Sequence, residues 1–199
     1  MEKNIKKVLT TEAQTITDVA KNVDYDIIKQ IIKRITTMEG KLIVSGSGTS
    51  GVAAKKIVHT FSCMSIPSIY LNPSDAVHGS LGIIQKGDIV VLISKGGNTE
   101  ELIKLIPSIE KNGALIIGVG ENKESYIGQN ATIFLKIITE KEPDPFNMLA
   151  TASTLAVISI FDAIAIEIMQ VIGLTKEQFG INHPGGAVGK RLLGENNII

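Results

Sequence analysis

Lys41-Leu42-Ile43-Val44-Ser45-Gly46-Ser47-Gly48-Thr49-Ser50-Gly51 decides how the rest of the chain is read. Leu42-Ile43-Val44 has the continuous apolar character of a strand covered on both faces, and it runs into a turn made of glycines and hydroxyls. A helix is expected from Val52 to Phe61. Where a parallel strand passes through such a turn into a helix, unpaired N–H groups and the positive end of the helix dipole converge on one spot. Glycine lets the backbone come close to a ligand, and Ser47, Thr49 and Ser50 add hydroxyl donors. The stretch points to a phosphorylated small molecule held at the carboxyl edge of a parallel sheet.

Gly46, Gly48 and Gly51 also satisfy the G-x-G-x-x-G spacing of dinucleotide sites, which calls for an acidic residue about 20 positions on to hold the ribose hydroxyls. Here the next strand ends Ser68-Ile69-Tyr70-Leu71-Asn72, with no acid. The bland alternative is a tight turn with no ligand.

The same unit of apolar strand, polar turn and helix recurs. Strands are expected at Leu42 to Ser45, Ser68 to Leu71, Asp88 to Ser94 and Ala114 to Val119, with a fifth at Thr132 to Ile137. The repetition predicts an α/β fold, a five-stranded parallel sheet with helices on both faces in the flavodoxin-like manner. No linker or composition shift divides residues 1–199, so a single domain is expected. Two helices precede the sheet. Glu2 to Val23 carries apolar residues at spacings of three and four. The next has Asp24 or Asp26 as its cap, a stripe of Ile27, Ile28, Ile31, Ile32 and Ile35, and Gly40 as a left-handed end. Both read as packing or dimerisation elements.

After the third strand, Ser94-Lys95-Gly96-Gly97-Asn98-Thr99-Glu100-Glu101 repeats the chemistry of the first turn. Two anion nests at one sheet edge can share one ligand. Thr99 alone would also serve as the N-cap of a helix from Glu100 to Lys111.

Composition narrows the function classes. The 20 basic and 20 acidic residues cancel, so no field favours nucleic acid. The single cysteine, Cys63, cannot bridge within the chain and fits a reducing compartment. Met1 to Lys7 has no apolar core of a secretory signal, and a cytoplasmic location is expected. Leu149 to Gly173 is long and apolar, but Asp162 and Glu167 interrupt it, which favours a buried helix over a membrane span. Two stretches lack core periodicity: the loop Ile138 to Asn147, with Glu140, Glu142 and Asp144, and Asn182-His183-Pro184-Gly185-Gly186, a rigid turn around a histidine. His78 sits in a turn after the second strand, and His59 reads as structural.

Together these residues resemble the SIS, or sugar isomerase, domain family. Its second-loop signature S-x-S-G-x-T-x-E is matched by Ser94, Gly97, Thr99 and Glu101, with Gly96 for the inner serine; Gly48-Thr49-Ser50 is similar to its first loop. Ala76-Val77-His78-Gly79 and His183-Pro184-Gly185-Gly186-Ala187-Val188-Gly189 resemble the arabinose 5-phosphate isomerase branch. The resemblance implies interconversion of ribulose 5-phosphate and arabinose 5-phosphate without a metal or organic cofactor, by an oligomer whose sites lie between subunits. It implies acid–base roles for Glu101, Glu142, His78 and His183, and phosphate binding by Ser47, Thr49, Ser50, Ser94, Lys95, Gly96 and Thr99. There are four departures from the pattern: Thr49 stands in place of a lysine, Ser80 in place of an Asp, Gly96 in place of a serine, and Pro143-Asp144 where a small residue and Cys are usual. Lys95 is the candidate substitute for the missing cation. A short form is implied, without the paired CBS domains that longer relatives carry.

Aldose–ketose exchange moves a proton between adjacent carbons through an enediol, a task for which carboxylate and imidazole suit, and Glu101 with His183 is the preferred pair. Isomerisation of another pentose or hexose phosphate, and sugar-phosphate sensing without turnover, stay open as alternatives.

Overall fold

The computed structural model describes residues 1–193. Its elements run α1 (Glu2–Asn22), α2 (Tyr25–Thr36), β1 (Leu42–Gly46), α3 (Thr49–Cys63), β2 (Ser68–Tyr70), α4 (Pro73–Ala76), a 3₁₀ turn (Ser80–Ile83) and β3 (Ile89–Ile93). They continue with α5 (Glu100–Ile103), α6 (Ile106–Lys111), β4 (Leu115–Gly120), α7 (Tyr126–Asn130), β5 (Ile133–Lys136), α8 (Ala152–Val171), α9 (Lys176–Ile181) and α10 (Gly186–Leu193). The five strands are all parallel, in the order β2-β1-β3-β4-β5. Chain order reverses between β1 and β3, and a crevice opens there at the carboxyl ends of the strands, the usual ligand position of an open α/β sheet.

Strand parity shows why the apolar runs are continuous. Leu42, Val44, Ile89, Val91, Ile93, Ile117 and Val119 face the layer of α2, α3 and α8, while Ile43, Val90, Leu92 and Ile116 face Leu102, Leu105, Ile106 and Ile109 on the other side. Successive strand residues point to opposite faces, so a sheet covered twice needs every position apolar. α8, long and apolar enough to cross a membrane, packs against α1, α2 and α3. Its Asp162 is ion-paired with Lys56 of α3.

Local chemistry sets several boundaries. The Asp24 carboxylate accepts the N–H groups of Asp26 and Ile27 and starts α2. That helix ends at Thr36, and Gly40 is not its left-handed cap. Its role is proximity: a Cβ there would strike the Asp88 carboxylate and backbone. The helix expected from Val52 begins at Thr49, so Thr49 and Ser50 form its first turn. The helix expected from Glu100 to Lys111 is two, because Pro107 has no N–H to continue the first and fits the opening turn of the second.

Candidate functional site

The first nest forms where β1 meets α3. Gly46 lies so close to the helix that a Cβ would fall 2.7 Å from the Ser50 carbonyl carbon. Gly48, at φ +57°, is the N-cap and offers no side-chain acceptor, which leaves the first N–H groups of α3 free to meet an anion. The Ser47 hydroxyl is buried without a hydrogen-bond partner among the described residues. A buried polar atom of this kind is uncommon unless a ligand or water meets it.

The second nest follows β3. Buried Ser94 accepts the Gly97 N–H on its Oγ at 3.0 Å and shares a hydrogen bond with Thr99 Oγ1 at 2.8 Å. Thr99 is the N-cap of α5, but its hydroxyl caps no amide; it turns to Ser94 instead. Gly97, at φ +73°, lets the loop back onto α7. There its carbonyl accepts the Ile127 N–H at 3.1 Å, and Asn98 Oδ1 accepts the Tyr126 N–H at 2.9 Å. The nest is therefore braced from behind.

Both nests open on one cavity of about 260 Å³. Ser47, Thr49, Ser50, Ser94, Lys95, Gly96 and Thr99 all line it, the whole expected phosphate set, together with Glu121, Thr139 and the start of α8. The Lys95 ammonium is drawn toward carboxylates, lying 3.4 Å from Glu142 Oε1 and 3.9 Å from Glu121 Oε1.

Glu142 is where sequence and geometry part. Its side chain is 1% exposed and accepts the N–H groups of Thr151 at 3.0 Å and Ala152 at 2.9 Å on Oε2, and of Ser153 at 3.3 Å on Oε1. The carboxylate thus caps α8, and the helix dipole favours its charge. Burial alone would raise its pKa; hydrogen bonding by Ser153 and Thr151 and the Lys95 charge outweigh this and hold it below the usual glutamate range. An ionised, fully engaged carboxylate is a poor proton shuttle but a firm anchor.

None of the four expected acid–base residues lines the cavity itself. Glu101 is half-buried in the first turn of α5. His78 is exposed on the loop after α4, past β2. His183 is half-buried, its Nδ1 2.8 Å from the Phe179 carbonyl oxygen and its ring stacked on that of Phe179 at 4.1 Å. The neighbouring Asn182 amide donates to the Cys63 carbonyl at 3.1 Å and to Ser65 Oγ at 2.7 Å, fixing the turn to the C-terminal end of α3. The first nest is at the N-terminal end of that 15-residue helix, so His183 stands about 20 Å from it at 1.5 Å per residue. Glu121, which sequence reasoning passed over, does line the cavity. Among the described residues, no cluster of three or more His, Cys, Asp or Glu forms a metal site.

Residues 36–167 match the family model of the SIS domain. Arabinose 5-phosphate isomerase KdsD of Yersinia pestis is 35% identical over 188 residues, 94% of this chain and 57% of that protein. The chain thus spans little more than half the length of this curated relative. A Listeria monocytogenes structure, described provisionally as a sugar-phosphate isomerase, aligns with a TM-score of 0.91 at 50% identity, covering 92% of this chain and 96% of the other. An Escherichia coli CFT073 structure in complex with arabinose 5-phosphate aligns with a TM-score of 0.87 at 29% identity, covering 90% and 95%.

Proposed function

The chain belongs to the SIS domain family, and we propose that it is an aldose–ketose isomerase acting on a sugar phosphate such as the arabinose 5-phosphate and ribulose 5-phosphate pair. The cavity at the β1/β3 crevice carries this reading, because two independent nests of N–H and hydroxyl donors converge there with a buried Ser47 hydroxyl that has no partner among the described residues. Neutral donors at a helix start are the right chemistry for a phosphate dianion. The likeness to arabinose 5-phosphate isomerases and to a chain in complex with arabinose 5-phosphate supports this choice of substrate.

Phosphate held at the nests anchors the far end of the substrate and orients its reacting carbons. Glu101, at the start of α5 beside the second nest, is the proposed base. His183 lies too far from its own protomer's cavity to act there, so it serves a neighbouring one. The active form is accordingly a homo-oligomer. Exposed Ile5, Leu9, Ile16 and Ile166 on α1 and α8 supply apolar surface for such an assembly. His78, exposed on the loop after α4, is the second proposed shuttle. Glu142, implied by resemblance in the acid–base set, is given a positioning part: it holds α8 and Lys95.

Turnover assays on a panel of pentose and hexose phosphates test the proposal. Glu101→Gln and His183→Asn are expected to lower kcat by about 10² to 10⁴ with phosphate-dependent binding nearly intact. Ser94→Ala with Thr99→Ala should abolish thermal protection by phosphate. One observation favours a second reading: Thr49 stands where the family resemblance implies a lysine, and Lys95 is already bound to carboxylates. Binding across the whole panel with turnover of none would make the protein a sugar-phosphate sensor.

A further inference from the structure

Glu121 is the one carboxylate lining the cavity among the described residues, and Lys95 the one cation. Two constraints hold Glu121 in place. Gly120, the last residue of β4, is pressed against the carbonyls of Ser94 and Lys95 with no room for a Cβ, and the Glu121 N–H donates to the Lys95 carbonyl at 2.9 Å. The side chain is then aimed by Thr139, whose N–H donates to Oε1 at 3.0 Å. Oε2 accepts no hydrogen bond from the described residues, and the side chain is 30% exposed.

The position matters because of what lies on either side. The nests after β1 and β3 meet the cavity with neutral donors; Glu121, one strand further along at the end of β4, lines it beyond the second nest, away from the first. A fixed carboxylate acceptor 3.9 Å from an ammonium donor has the reach and complementarity to meet adjacent hydroxyls of a polyol, one donating and one accepting. A bare alkyl chain would leave both groups desolvated without replacement partners, a cost that hydroxyl-reading sites exploit.

We propose that Glu121, with Lys95, is a specificity-determining residue that reads the hydroxyls of the sugar while the nests hold its phosphate. The inference rests on the phosphate placement given above. Glu142 keeps Lys95 from swinging away, so the pair is presented in a set geometry.

The test is equilibrium binding, by calorimetry, of three probes that cannot isomerise: inorganic phosphate, n-pentyl phosphate and arabitol 5-phosphate. The last two share a carbon count and differ in hydroxyls. In the wild type, arabitol 5-phosphate should bind about 10- to 100-fold tighter than pentyl phosphate, the range for hydrogen bonds to charged groups. Glu121→Ala should remove most of that difference, Glu121→Gln about tenfold or less, and neither should change the affinity for inorganic phosphate. Lys95→Met, which also removes a residue of the expected phosphate set, should weaken the polyol as well. If both Glu121 variants keep the full preference for arabitol 5-phosphate, or lose affinity for all three probes alike, the assignment is overturned. Failure of the wild type to bind inorganic phosphate would instead overturn the phosphate placement, and this inference with it.

Discussion

Replacing Glu142 by alanine separates a structural carboxylate from a catalytic one. The change leaves three amide donors, those of Thr151, Ala152 and Ser153, without acceptors at the start of α8, and it strips Lys95 of its nearer partner. A buried donor left unsatisfied costs about 1–3 kcal/mol, while the lost ion pair adds no more than about 1 kcal/mol because the Lys95 side chain is 43% exposed and keeps Glu121 beside it. These terms overlap, since water entering the vacated space restores some hydrogen bonds. A net loss of about 3–5 kcal/mol is therefore expected, equivalent to a Tm lower by about 6–20 °C for a domain of this size. Glu142→Gln keeps one acceptor oxygen and should lose roughly half as much. Urea unfolding monitored by circular dichroism, with m unchanged, gives the figure directly. Removal of a group whose only task is proton transfer would leave stability unchanged or raise it. A Glu142→Ala protein that melts within 2 °C of wild type, on a scale of about 2–4 °C per kcal/mol, would refute the capping argument.

Two further outcomes are expected. Gly46→Ala places a methyl 2.7 Å from the Ser50 carbonyl carbon, so the first turn of α3 must shift; a loss of about 1–3 kcal/mol should result, with weaker phosphate binding by calorimetry. Acid should destabilise the fold through two carboxylates held below their ordinary range. Burial opposes ionisation of Asp88, but the hydrogen bond and charge of Lys41 and the N–H groups of Lys41 and Gln85 outweigh it; Glu142 is the second. Because each folded pKa is lower than the unfolded one, their stabilisation is complete above about pH 5 and is lost as pH falls from about 4 through the folded values. Urea midpoints should be level from about pH 7 to 5 and drop below about 4, with a shallower drop in Glu142→Gln.

The sheet was legible because a parallel strand covered on both faces needs every residue apolar, a pattern that stands out along this chain. Its edges moved by a residue or so, as the end of an apolar run does not fix the last ladder bond. Gly40 misled because a glycine near a helix end suggests a left-handed cap, whereas this one makes room for Asp88, far away in sequence. The two nests were legible for a different reason: they are local, built from consecutive residues around Gly48 and Gly97. Glu142 stood out as an acid in a loop, yet its amide partners lie 9, 10 and 11 residues on, beyond any local motif. Glu121 carried no signal at all; it is a single acid after a strand, and only the closeness of Gly120 to the second loop brings it into the cavity. His183 was legible as a rigid turn, but its attachment to the far end of α3 through Asn182 depends on the fold.

Proton movement between adjacent carbons of a sugar phosphate is the central claim. The most direct measurement follows arabinose 5-phosphate by NMR in D₂O with the protein present. Conversion to ribulose 5-phosphate is predicted, with deuterium entering at C1 of the ketose, the carbon that receives a proton when C2 of the aldose gives one up, and both should slow by about 10² to 10⁴ in Glu101→Gln. Saturable binding of arabinose 5-phosphate with neither conversion nor exchange over many hours would contradict it.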